Sequence, residues 1–130
     1  MVIIKMCHWL RLSFFKSPEA SKSPVQKEYV KGTTYEDRAK IDAVLDSIRA
    51  YGLEHKIGFR LEQVKGIKEP ILEIKIKAFG AEHRFLAYKL IQEDNPVILF
   101  LLKYIKKKEW KLRPDDIETA VSRYKCIVGG

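Results

Sequence analysis

The sequence predicts an α+β fold: one compact domain in which an antiparallel sheet is packed by N-terminal helices and a C-terminal helix. Three observations lead there, namely a helical apolar period across residues 34 to 51, a switch to strict alternation from Ile71, and a length of 130 residues. Period separates the two element types, because side chains return to one face about every 3.6 residues in a helix and on every second residue in a strand. The length suits a single core, taken to span residues 1–130, with residues 1–7 and 127–130 as ends that could fray. A hydrophobic fraction of 46% with 32% charged residues supplies enough apolar side chains to offset chain entropy, which argues against disorder.

Taken in order, His8 to Phe15 alternates and is rich in aromatics, as a half-buried strand would be. Ser17-Pro18 and Ser23-Pro24 bracket a loop, with Pro24 placed to open a short helix through Val30. Thr33 and Thr34 each precede an acid by three residues, Glu36 and Asp37, the reciprocal pattern that satisfies free amides at a helix start. From there Ile41, Val44, Leu45 and Ile48 share a face, and Gly52 permits the stop. Residues 53 to 70, with Gly58, Gly66 and Pro70, read as an irregular connection from which Leu61 and Val64 pack down.

From Ile71 onward Leu72, Ile74 and Ile76 oppose Glu73, Lys75 and Lys77, which predicts a strand with one charged face. Gly80 marks a turn, Arg84 to Leu90 a second strand, and Glu93-Asp94-Asn95-Pro96 a turn before the apolar run Val97 to Leu102. Three sequential strands with short turns make an antiparallel meander. Pro114-Asp115-Asp116 then opens a last helix with Ile117, Ala120, Val121 and Tyr124 on one face.

With 25 Lys and Arg against 17 Asp and Glu the net charge is +8, a balance that favours polyanions, nucleic acid first. The densest run is Lys103, Lys106, Lys107, Lys108, Lys111 and Arg113, which also reads as an ordinary solvated face. Cys7 and Cys126 lack metal-ligand spacing and read as incidental reduced thiols. The opening apolar stretch is broken by Lys5 and Arg11, too early for a signal peptide or a membrane span, so a cytoplasmic protein without membrane contact is the simplest expectation.

Several short words then occur in one order: Ser23-Pro24-Val25, Asp37 to Ile41, Tyr51-Gly52-Leu53, Val64-Lys65-Gly66, Leu72-Glu73-Ile74-Lys75, His83-Arg84, and Leu101 through Lys107. Together they resemble the RelE/HigB toxin superfamily, in the subgroup of phage-derived or addiction-module killer proteins, from about Trp9 to Tyr124. The family pattern departs at His83, where a tyrosine is usual, and between Lys108 and Arg113, where this chain is longer. The resemblance implies a RelE-like domain acting as the toxin of a type II toxin-antitoxin system. It implies a metal-independent endoribonuclease (mRNA interferase), without cofactor, that cuts messenger RNA on the ribosome and inhibits translation. Its partners would be mRNA, the ribosome and a cognate antitoxin, a small helix-turn-helix protein. A non-catalytic RNA-binding or antitoxin-binding protein of the same fold is the alternative.

Such cleavage attacks phosphate with the RNA's own 2'-hydroxyl, so it needs a proton acceptor, cations for the developing charge and a surface that splays the bases. The resemblance places these roles on Lys75, Lys77, Arg84 and Lys107. Arg84 would grip phosphate with its planar fork, and Lys75 or Lys77 would accept the proton. Glu73 reads as a partner that orients a lysine. His83 could move protons or merely cap the turn. Lys103, Tyr104, Lys106, Lys108, Trp110, Lys111 and Arg113 are the candidate RNA-binding set, with Tyr104 and Trp110 either stacking on bases or belonging to the core. His8 and His55 have no partners in sequence and read as structural or surface residues.

Overall fold

A computed structural model describes residues 10–54, 56–94, 96–106 and 112–129. The element order is β1 (Leu10–Phe14), α1 (Pro24–Gly32), α2 (Tyr35–Tyr51), β2 (Arg60–Gln63), β3 (Leu72–Ala78), β4 (Ala81–Leu90), β5 (Val97–Lys106) and α3 (Pro114–Val128). The strands form one sheet in the order β1-β5-β4-β3-β2, so the fold is α+β, with two helices before the meander and one after it.

The helix starts are chemically fixed. Ser23 Oγ accepts from Gln26 N at 3.2 Å and donates to Phe15 O at 2.6 Å, which ties α1 to the end of β1. At α2 the capping box forms on Thr34 and Asp37, each side chain bonded to the other's amide at 3.1 Å. Gly52 closes that helix with φ of 79°, a conformation open to glycine without cost, and its N–H reaches Ile48 O at 2.8 Å. Ile41, Leu45 and Ile48 are buried on the expected face.

The meander β3-β4-β5 is antiparallel as expected, and β2 adds antiparallel to β3. The expectation of a wholly antiparallel sheet is corrected at β1, which runs parallel to β5, Leu10 opposite Val97 and Phe14 opposite Leu101. A parallel neighbour requires a long crossover, and the helices and meander between β1 and β5 supply it. β2 lies inside the stretch read as irregular. Its four residues, Arg-Leu-Glu-Gln, carry one half-buried apolar side chain, Leu61, too little for an alternating signal.

A shift of register between Leu86 and Ala87 leaves Leu102 of β5 without an opposite residue. Leu101 and Leu102 are consequently both fully buried, on successive positions. One sheet face packs Ile74, Ile76, Phe85 and Tyr104 beneath the helices, with Tyr29 of α1 against Phe85 and Tyr104 at centroid distances of 5.5 Å. α3 covers part of the other face, through Tyr124 on Tyr88 at 4.8 Å and Arg123 Nη1 donating to Leu102 O at 2.8 Å. The remainder of that face is charged.

Candidate nucleic-acid interface

Register across β2, β3 and β4 sets Arg60 opposite Lys75 and Lys75 opposite Arg84. Three cations thus stand in one line across three strands, an arrangement that destabilises a sheet unless countercharges intervene. Carboxylates flank the line. Glu62 and Glu73 are opposite one another in the next row, and Glu82 is opposite Lys77 in the row on the other side. Lys75 Nζ meets Glu62 at 2.9 Å and Glu73 at 3.8 Å, while Arg60 meets Glu82 at 2.9 Å. The Lys75 hydrogen bond and charge pull the Glu62 carboxyl below its ordinary range.

Arg84 sits deeper than the sequence implies. Its side chain is 3% exposed, 2.7 Å from Glu73 Oε2 and 3.4 Å from Glu82 Oε1. The Glu73 contact is a close ion pair out of hydrogen-bond alignment, since Oε2 accepts no well-directed donor among the described residues. The charged face of β3 is therefore not a row of solvated side chains: Glu73 is buried, Lys75 is half-buried and Lys77 alone of the three is exposed. Glu73 does orient its basic neighbours, as its position implied. Lys75 is a partner of two carboxylates, Glu62 and Glu73.

His83 is not with them. Adjacent residues of a strand point to opposite faces, so beside Arg84 the imidazole enters the core, where it is fully buried. Its Nδ1 lies 2.6 Å from the Tyr104 hydroxyl, and Nε2 has no partner among the described residues. Burial holds its pKa down, opposed by Asp37 and assisted by Lys106. Tyr104 is 5% exposed and packs on Tyr29, Phe85 and His83; of its two readings the core one holds, so it offers no face to a base. Burial also pushes its hydroxyl pKa up.

Of the remaining basic residues, Lys103 is committed to Glu28 at 3.0 Å, a carboxylate it shares with Arg123. Lys106 and Arg113 are exposed at the end of β5 and the start of α3. Lys107, Lys108, Trp110 and Lys111 lie outside the described residues, as do Cys7, His8, Trp9 and His55. Cys126 is a free, exposed thiol.

One exposed residue beyond the sequence-derived set lies at the hairpin that follows Lys77. Phe79 and Gly80 form the turn between β3 and β4, with φ of 51° and 79°. Two-residue hairpins of that geometry favour Asn-Gly, and a bulky side chain at positive φ is strained. Phe79 is nonetheless 67% exposed, two residues beyond Lys77, with Lys40 Nζ 5.7 Å from its ring centroid. The detectable signal was Phe-Gly where a turn asks for Asn-Gly.

Among the described residues no group of three or more His, Cys, Asp or Glu could hold a metal, and no helix is long and apolar enough to cross a membrane. The sheet face defines a class of site, a paired cation array across β2, β3 and β4. Comparison of the chain with protein-family models gives no match, and comparison with curated proteins gives none.

Proposed function

We propose that this protein is a cytoplasmic, RNA-directed toxin of the RelE/HigB type, a metal-independent endoribonuclease that cuts mRNA on the ribosome and is neutralised by a small helix-turn-helix antitoxin. The observation that supports the RNA-directed part is the in-register line Arg60, Lys75 and Arg84, three cations aligned across three strands, of which Lys75 is paired with an exposed carboxylate, Glu62, that a phosphate could replace. The ordered sequence words carry the family part. Strained, exposed Phe79 supplies an aromatic on which a base could stack beside Lys77.

In this reading a phosphate displaces Glu62, whose side chain is 56% exposed, from Lys75, on the face that also carries exposed Lys77. Buried Glu73 stays and holds Lys75 and Arg84 in place, a positioning role. The 2'-hydroxyl attacks the adjacent phosphorus and gives its proton to water, the cations stabilise the phosphorane, and the P–O5' bond breaks to leave a 2',3'-cyclic phosphate and a 5' oxygen that takes a proton from water. Single-turnover cleavage of a defined transcript tests this: products should end in 2',3'-cyclic phosphate, and Lys75→Ala or Lys77→Ala should slow the cut roughly hundredfold with RNA affinity little changed. Wild-type rates in both variants would remove the site.

The commitment of Arg84 to Glu73 and Glu82 favours a second reading, a non-catalytic RNA-binding or antitoxin-binding protein of this fold. Translation arrest with uncut transcripts would select it.

A further inference from the structure

The two edges of the sheet are built differently. β2 carries Arg60 and Glu62, exposed charges of the kind that keep an edge from pairing with another strand. β1, at the opposite edge, carries one exposed charge, Arg11, and from there runs on as Leu12-Ser13-Phe14 into Phe15 without another. All four of these consecutive residues line an open groove of about 1030 Å³. Successive side chains point to opposite faces, so a groove touching all four runs along the strand's outer edge. Phe15 N donates to Leu101 O at 2.9 Å, toward β5. By alternation the N–H and C=O groups of Leu12 and Phe14 point away from β5, into the groove. Phe100 and Ile127 extend its apolar surface, together with Val30, which is 49% exposed. Among the described residues its charged lining consists of Lys16, Lys22, Lys27 and Lys31, with no acid.

We propose that this edge is a docking site for an extended acidic segment of a partner protein, which adds to the sheet as a strand beside β1. The partner's backbone would pair with Leu12 and Phe14, its apolar side chains would meet Phe14, Phe100 and Val30, and its carboxylates would meet the lysine rim. Charge selects this occupant. Two copies of the chain would bring two lysine rims together at a net charge of +8 each. The site stands apart from RNA cleavage, since the line of cations lies on β2 to β4.

The probe is a short synthetic peptide alternating Glu and Val, titrated into the full chain by fluorescence anisotropy and followed by amide hydrogen exchange. Binding should protect the Leu12 and Phe14 amides from exchange. N-methylation of alternate peptide amides should weaken affinity about tenfold or more, since it removes strand hydrogen bonds. Lys27→Glu with Lys31→Glu should weaken it similarly while leaving circular dichroism unchanged, and should improve binding of a Lys-Val peptide. The proposal is overturned if the Lys-Val peptide binds wild type as well as the Glu-Val peptide, or if N-methylation has no effect. It is also overturned if protection appears elsewhere, if a single-stranded RNA displaces the peptide and protects the same amides, or if the protein self-associates through this edge instead.

Discussion

Arg84 and Glu73 face each other on neighbouring strands with side chains 3% and 7% exposed, so neither can lose its partner cheaply. Arg84→Ala should destabilise the fold by about 3–5 kcal/mol in urea unfolding, because it strands a buried carboxylate, whereas Arg84→Met with Glu73→Leu should recover most of that loss. Any fall in cleavage by Arg84→Ala must therefore be read against stability. His83 gives a pH dependence. Its folded pKa lies below the ordinary 6.5, so between the two values the unfolded chain binds more protons and stability drops as pH falls below about 6.5. His83→Gln should flatten the unfolding midpoint between pH 7.5 and 5.5, to about the level set by the other groups. At Phe79 the strain and the exposure pull apart: Phe79→Asn should raise stability by up to about 1 kcal/mol, since Asn tolerates positive φ. The same change should weaken RNA binding by about 1–3 kcal/mol if a base stacks there, so a filter-binding assay that shows no loss would remove the platform.

α1 and α2 were legible because caps and periodicity are local: Ser23, Pro24, Thr34 and Asp37 act where they stand in the sequence. β2 was not, since Arg60–Gln63 is a strand only because β3 lies beside it. The candidate cations of β3 and β4 were legible as residues, but their burial and pairing were not, because Glu62, Glu73 and Glu82 reach them through cross-strand register. His83 shows the same limit: the neighbour of Arg84 in sequence is on the far side of the sheet in space. A close approach between elements was equally hidden. A Cβ on Gly32 would lie 2.5 Å from Tyr104 Cε2, so α1 approaches β5 as near as a glycine allows. Gly32→Ala should displace the Tyr104 ring and cost about 1–3 kcal/mol, measurable by thermal unfolding, together with a weakened Tyr104 to His83 hydrogen bond.

The excess of 8 positive charges acts on the molecule as a whole, and it should make RNA affinity fall with salt. Replacing Lys106, Lys107 and Lys108 together by Gln should reduce the slope of log affinity against log salt by about two to three units if each neutralises one phosphate. An unchanged slope would show those lysines to be solvated only. The parallel pairing of β1 with β5 has its consequence in time. The meander closes through short turns, but Leu10 must find Val97 across most of the chain, and the entropy of closing that loop is met only after nearer contacts exist. β1 should therefore be the strand that joins after the folding barrier. In stopped-flow experiments Leu12→Ala should speed unfolding and leave the refolding rate nearly unchanged, while Phe85→Leu in the meander should slow refolding. Until β1 arrives, β5 is itself an open edge, and the first strand in the sequence becomes the first to leave when the protein unfolds.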